Sequence, residues 1–99
     1  MNMQAILKQA QAMQKDMMKA KEEIDGMTFE GHSALVTVTV SGTKEVKKVE
    51  ILNKSDLEKD DLEVLEDMML IAANEAFAQV DKVTEEKMGK YTSAMPGLF

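Results

Sequence analysis

The chain has 99 residues, a net charge of −6 and no cysteine, which is the size of a single domain spanning residues 1–99. The lack of cysteine excludes disulfide bridges, thiolate nucleophiles and cysteine-ligated metals. No apolar run approaches the roughly 20 residues of a membrane-spanning helix, and the N-terminus has no signal-peptide pattern. We therefore expect a cytoplasmic protein with no membrane partner.

The charge is unevenly distributed along the chain. Residues 1–21 carry +3, residues 32–55 carry +2 and residues 56–67 carry −6. All twelve basic residues are lysines, so the planar guanidinium group that most often reads guanine is missing. If the protein binds a nucleic acid, we expect phosphate contacts with little base readout.

The first segment has a regular apolar pattern that predicts a long helix at about residues 2–25. Its apolar residues are spaced alternately three and four apart, which is a heptad seam for packing along another helix. Gly26 offers a left-handed cap at the end. The seam consists of Met3, Ile6, Ala10, Met13, Met17, Ala20, Ile24 and Met27.

The middle of the chain predicts a three-stranded antiparallel meander. Valines alternate with Leu35 and two threonines over residues 35–40, Ser41 to Lys44 supplies a turn, and residues 45–52 return as a strand. Val46 is out of phase with Val49 and Ile51, which indicates either a bulge or a change of face in the returning strand. Residues 28–30 are a weaker candidate for the first strand.

A second long helix is predicted to begin near Asp61 and to run for about 30 residues. Capping-box spacings occur at Ser55 with Glu58 and at Asp60 with Glu63. After Val83 the pattern becomes polar, and Pro96 ends any regular structure. The apolar stripe contains Leu62, Leu65, Met69, Ala72, Ala76 and Val83, broadened by Met68, Ala73, Phe77 and Val80.

These lengths predict a homodimer. Strands of eight residues span about 27 Å, whereas helices of these lengths reach roughly 36 and 45 Å, so a small sheet cannot cover both apolar stripes. The uncovered residues must pack against a second copy or form an antiparallel helix pair within one chain. We predict that the packing seam uses Ile6, Ala10, Met13, Met17, Ala20, Leu65, Met69, Ala72 and Ala76.

No pattern of residues indicates catalysis, a metal site or a cofactor. His32 is the only histidine, has no partner ligand nearby in sequence, and is interpreted as a turn residue. No glycine-rich loop joins a strand to a helix, so a phosphate-binding enzyme site is unsupported. Phe77 is expected in the core, Tyr91 at the surface, and the aromatics, including Phe99, are too scattered for a base-stacking platform. We therefore expect no enzymatic activity and no small-molecule substrate.

Three lysines of the first helix share one face. Lys8, Lys15 and Lys19 point away from the heptad seam, within about 60° of one another. This row is either a phosphate-binding surface or a solvated outer face of the kind that most paired helices have.

Four short sequences in this order resemble the YbaB/EbfC family of bacterial nucleoid-associated proteins. The similarity covers nearly the whole chain, and the joint arrangement is more specific than any single sequence. The four are KQAQAMQ at residues 8–14, VEI at residues 49–51, LED at residues 65–67 and EKM at residues 86–88.

The resemblance implies a fold and a function. The fold is α+β, with a long N-terminal helix, a three-stranded antiparallel meander and a long C-terminal helix, assembled into a tweezer-like homodimer. The function is binding of double-stranded DNA that alters its conformation, with roles in nucleoid organisation and gene regulation. The family's DNA contacts lie on the two terminal helices, and here they correspond to Lys8, Lys15, Lys19, Lys82, Lys87 and Lys90.

A protein-holding chaperone similar to prefoldin subunits is the alternative. Such subunits also place β hairpins between long helices, and a methionine-rich seam suits promiscuous apolar contacts. Suppression of a model protein's aggregation would distinguish this function from DNA binding.

Overall fold

The computed structural model describes residues 2–94, with side chains as far as residue 91. A helix, three antiparallel strands and a second long helix follow in that order, which confirms the predicted α+β class. Pro96 and Phe99 lie outside the described residues. The elements are α1 (Met3–Asp25), β1 (Thr28–His32), β2 (Val36–Ser41), β3 (Val46–Ile51), 3-10 turns at Lys54–Asp56 and Lys59–Asp61, and α2 (Leu62–Ala94).

Helix α1 has a polar N-cap and a right-handed end. The Asn2 side chain accepts a hydrogen bond from the Gln4 N–H at 3.0 Å, which satisfies one of the free amides of the first turn. The predicted left-handed cap is wrong, because Gly26 has φ −84° and ψ −5°. Its N–H still donates to the Glu22 carbonyl at 3.1 Å, so the chain turns into β1 without a left-handed residue.

The sheet has the strand order β1-β2-β3, and both pairs are antiparallel. Thr39 of β2 pairs with Lys48 of β3, whereas the next residue, Val40, pairs with Val46. Lys47 is therefore an extra residue in β3, so of the two predicted alternatives the bulge is the one that occurs. It places Val46 on the same sheet face as Val49.

The core lies between one face of the sheet and α2. Val36, Val38 and Val40 of β2 are at most 2% exposed and pack in one cluster with Ala72 and Ala76 of α2. Phe77 packs against this cluster, which confirms its expected place beside the core.

A glycine sets the distance between the sheet and α2. A Cβ atom at Gly31 would lie 1.9 Å from the Ala72 carbonyl oxygen and 2.6 Å from the Ala76 nitrogen. No side chain fits there, so β1 and α2 pack backbone against backbone.

The start of α2 is capped differently from the prediction. The box is formed by Glu58 and Asp61, and the Glu58 N–H donates to Asp61 Oδ2 at 2.8 Å. The Ser55–Glu58 and Asp60–Glu63 pairings are wrong, because the two 3-10 turns shift the capping position between them.

The hairpin between β2 and β3 touches the end of α1. Gly42 donates to the Met27 carbonyl at 3.0 Å, and a Cβ atom at Gly42 would lie 1.7 Å from the Ile24 carbonyl oxygen. From this point α1 runs away from the sheet, and the molecule is 71 Å long but only 19 Å and 14 Å across. Within residues 2–94, neither helix has the length and apolarity that crossing a bilayer requires.

Candidate nucleic-acid interface

Helix α1 and the C-terminal part of α2 form an antiparallel pair that projects from the sheet. We call this pair, residues 3–25 with residues 81–94, the arm, and we call the sheet with residues 62–80 of α2 the body. Met17 and Ile24 of α1 are buried against Met88 and Tyr91 of α2 in a second apolar cluster. Burial of these side chains fixes the two helices side by side.

Two expectations about the C-terminal part of α2 are wrong. Tyr91 is buried instead of lying at the surface, and Met88 continues the apolar stripe beyond Val83 into the sequence that looked polar. The spacing of three between Met88 and Tyr91 places both on one helix face. This spacing could have indicated a buried face, although polar residues surround the two positions.

The predicted seam residues divide between the body and the arm. In the body, Leu65, Ala72 and Ala76 are buried beneath the sheet, and Met69 is half-buried beside them. In the arm, Met17 is buried and Met13 and Ala20 pack against its cluster, so this part of the seam is satisfied within one chain. Ile6 and Ala10 are exposed.

The structure brings three of the six predicted lysines together. Lys19 of α1 lines a groove between the two helices of the arm, and Lys87 and Lys90 of α2 line it from the other side. Tyr91 and Ala20 contribute to the floor of this groove. A phosphate at the groove would therefore meet ammonium groups from both helices.

The other three predicted lysines lie outside this groove. Lys8 and Lys15 are exposed along α1, where the helix rise places Lys8 about 17 Å from Lys19. That distance matches about five nucleotide steps along one DNA strand. Lys82 is exposed on α2 and is not among the residues that line the groove.

Acidic residues share the groove with the lysines. Asp16, Glu23 and Glu86 line it, and Lys87 Nζ lies 3.7 Å from Glu23 Oε2. Because both side chains are substantially exposed, such a pair contributes about 0–1 kcal/mol. The pairing was not predicted, since its two residues are far apart in the sequence.

Lys90 lies against the aromatic ring that follows it. Its Nζ is 5.0 Å from the centre of the Tyr91 ring, which is within range of a cation–π contact of about 0.5–1 kcal/mol. The ring is buried between the helices, so it orients a cation but is not available to stack on a base.

Two further lysines near the arm are held by acids. Lys21 Nζ lies 3.1 Å from Asp25 Oδ2, and Lys44 of the hairpin pairs with Asp81 of α2. Both pairs line a second cleft, on the side of the arm that faces the hairpin. These contacts neutralise that side, whereas Lys8 and Lys15 project from the outer face of α1.

The single histidine contacts residues of its own strand and of the neighbouring strand. His32 is the last residue of β1, so its interpretation as a turn residue is wrong. Its Nδ1 lies 3.2 Å from Thr37 Oγ1, and its Nε2 lies 3.5 Å from Glu30 Oε2. The contact with Thr37 joins β1 to β2, whereas the contact with Glu30 lies within β1.

The molecule is an α+β body from which an extended arm projects, with lysines from both helices at its groove. Comparison with known proteins identifies its family. The YbaB/EbfC DNA-binding family matches residues 1–95. A nucleoid-associated protein of Lactococcus lactis subsp. lactis is 48% identical over 99 residues, with 97% of this chain and 98% of the relative covered.

Two other similar proteins extend the comparison. A nucleoid-associated protein of Ligilactobacillus salivarius is 42% identical over 99 residues, with 99% of this chain and 95% of the relative covered. The crystal structure of the uncharacterized Helicobacter pylori protein HP0035 matches with a TM-score of 0.65 over 96% of this chain and 99% of that one. Their sequence identity is 16%, so this match concerns the fold alone.

The chain belongs to the YbaB/EbfC DNA-binding family. The resemblance noted from the sequence is thereby confirmed, and the family favours DNA binding over the chaperone alternative.

Proposed function

We propose that this protein is a nucleoid-associated protein that binds double-stranded DNA as a homodimer through lysine–phosphate contacts, with little base readout. Binding alters the conformation of the DNA and serves nucleoid organisation and gene regulation. Its role is binding without catalysis. The observation that carries the proposal is the convergence of Lys19, Lys87 and Lys90 on one groove of the arm.

The type of contact follows from the side chains that are present. Lysine is a point charge that neutralises phosphate, and it lacks the fork that arginine uses to read guanine. The aromatic rings described by the structure are buried or half-buried, so they do not supply a platform for stacked bases. The arm therefore offers charge and shape, which suits sequence-tolerant binding.

The homodimer is supported by apolar surface that one chain leaves exposed. Met3, Ile6 and Leu7 at the free end of α1 are between 40% and 71% exposed, as are Val46 and Val49 on β3 and Leu70 and Ile71 on α2. Exposure of this many large apolar side chains is typical of a surface that meets a partner. Two copies would also present two arms to one DNA molecule, which is how binding would bend or bridge it.

The test is a gel-shift titration of the full-length chain at several salt concentrations. If six lysines neutralise six phosphates, the log–log slope of affinity against salt is about −5. Changing Lys8, Lys15 and Lys19 together to Gln should reduce the magnitude of this slope by about 3 and weaken binding roughly a hundredfold at 0.15 M salt.

A matched variant controls for net charge. Changing Lys47, Lys54 and Lys59 to Gln removes the same charge from exposed positions on β3 and on the turns before α2, and we expect little loss of affinity. Equal losses in the two variants would mean that total charge, not the arm, determines binding. No binding by the parent chain at low salt would refute the proposal.

A further inference from the structure

The first half of α1 extends beyond the part of the arm in which the two helices are paired. Every side chain of residues 3–12 is exposed, and Met13 is the first residue of α1 that packs against the apolar cluster of the arm. We call residues 3–12 the tip. The tip is about 15 Å long, and in the part of the chain that the structure describes it stands as a single helix.

Two large apolar side chains form a ridge on the tip. Met3 is 71% exposed and Leu7 is 57% exposed, and their spacing of four places them one turn apart on the same face. Leu7 lies about 25 Å along α1 from Ile24 at the base of the arm, so the ridge is separate from the exposed apolar residues of the body. Apolar side chains exposed at the end of a projecting arm indicate a binding partner of their own.

The polar side chains around the ridge are complementary to a polyanion. The first 15 residues contain Lys8 and Lys15 but no acidic residue. Around the helix, Gln4 and Gln11 lie between Leu7 and these two lysines, within an arc of about 100°. All four of these polar side chains are exposed. Ammonium groups bind phosphates and amide groups bind base edges, so this surface is suited to a nucleic acid.

Only the tip is narrow enough to reach the base pairs. A single helix is about 10–12 Å across, whereas two paired helices are about 20 Å across. The grooves of B-DNA are about 12 Å and 6 Å wide. The paired part of the arm therefore stays at the phosphates, while the tip can enter a groove and bring the ridge against the base pairs.

Proteins that kink DNA combine the same kinds of side chain. They hold the edges of a groove with lysine, asparagine or glutamine, and they insert an apolar side chain such as leucine or methionine between neighbouring base pairs, which unstacks them. We propose that the tip is such a wedge: Leu7, with Met3 beside it, enters between two base pairs and kinks the duplex, while Lys8 and Lys15 hold phosphates. This inference rests on the proposed DNA binding and names the residue that changes the shape of the DNA.

The experiment compares two short duplexes of the same sequence, one fully paired and one with a single T·T mismatch at its centre. Each carries 2-aminopurine beside the central pair, a base whose fluorescence increases when it is unstacked. Because a mismatched step costs less to unstack, the full-length chain should bind the mismatched duplex about tenfold more tightly. Its binding should also increase the fluorescence of both duplexes.

Two matched variants locate the wedge. Leu7→Ala should bind both duplexes with affinities within about twofold of each other and leave the fluorescence unchanged, because alanine is too short to enter between base pairs. Met18→Ala is the control, since Met18 is 61% exposed, lies three turns from Leu7 on the same face and is likewise followed by a lysine. Met18 belongs to the paired part of the arm, so this variant should keep the preference for the mismatched duplex.

The outcomes separate the wedge from the proposed function. A preference that Leu7→Ala loses and Met18→Ala keeps supports the wedge, and equal losses in the two variants would overturn it. Equal binding of both duplexes by the parent chain would overturn the wedge and leave DNA binding standing. No binding of either duplex at low salt would refute the proposed function itself.

Two further measurements test other occupants of the ridge. Because Leu7 is exposed, Leu7→Ala should sediment as the parent chain does and unfold at the same temperature. A shift from dimer to monomer would assign the ridge to a contact between copies. A lower Tm would show that the ridge is covered within the chain, and either result would overturn the wedge.

Discussion

The body and the arm are packed from different side chains. In the body, the buried valines and alanines are at most 2% exposed, Leu65 and Phe29 beside them are 6% and 9% exposed, and a glycine lies at the closest approach. In the arm, Met17 and Met88 pack with Ile24 and Tyr91, and the cluster is between 3% and 9% exposed. β-branched and small residues fix one geometry, whereas methionine adapts its shape to its neighbours. The protein therefore combines a rigid support with a surface that can adjust.

This contrast predicts that the largest effect of a single methyl group occurs in the body. Gly31→Ala should lower the free energy of unfolding by about 3 kcal/mol, because the new methyl would overlap backbone atoms of α2 that cannot rotate away. Urea denaturation measures the change.

Gly26→Ala is the matched control for this substitution. Its backbone lies in the right-handed region, and a new Cβ atom would lie 3.6 Å from the Glu22 carbonyl oxygen, so we expect a change of less than 1 kcal/mol. If both substitutions lower the free energy of unfolding by the same amount, the close contact between Gly31 and α2 does not cause the loss.

A charge placed in the apolar cluster of the arm tests whether the arm can be destabilised separately from the body. Met17→Asp should destabilise the arm by about 2 kcal/mol, because it places an unpaired carboxylate between α1 and α2. Hydrogen exchange should become faster in residues 13–24 and 84–91 while the β2 amides remain protected, since the body has its own core.

The neighbouring residue supplies the control for the arm. Met18 is 61% exposed, so Met18→Asp adds the same charge without burying it and should leave hydrogen exchange unchanged. If Met17→Asp speeds exchange equally in β2, the body and the arm unfold as one unit and the contrast between them fails.

The smallest expected effect concerns the acids of the groove. Glu23→Gln removes the carboxylate beside Lys87 and should raise DNA affinity about threefold. Lys87 then binds a DNA phosphate without first giving up its contact with the Glu23 carboxylate. Glu22→Gln removes the same charge one position away, from a residue that does not line the groove. Equal gains from both variants would mean that only net charge changed.

Much of the fold follows from local patterns in the sequence. The heptad spacing predicted α1 to within one residue of its start, the alternating valines predicted β2, and the phase error at Val46 indicated a bulge or a change of face, of which the bulge occurs. These features depend on residues that are close in the chain. The capping position of α2 was missed, because two 3-10 turns precede the helix and the spacing alone does not reveal them.

The candidate site was less accessible to sequence reasoning. Helical periodicity alone places Lys8, Lys15 and Lys19 on one face. The meeting of Lys19 with Lys87, and the pairing of Lys87 with Glu23, depend on α1 and α2 lying side by side. That arrangement requires the burial of Met88 and Tyr91, which appear in the sequence as isolated apolar residues among polar ones.

The contact between Gly42 and the end of α1 has a consequence for evolution. The hairpin holds the base of the arm through main-chain atoms, by the Gly42 N–H on the Met27 carbonyl and the close approach to Ile24. The Lys44–Asp81 pair adds a side-chain contact to this joint, whereas Lys8, Lys15 and Lys19 on the outer face of α1 are not among the residues that line the cleft beside it. Lysines can therefore be gained, lost or exchanged along the outer face of α1 without altering the direction in which the helix leaves the body.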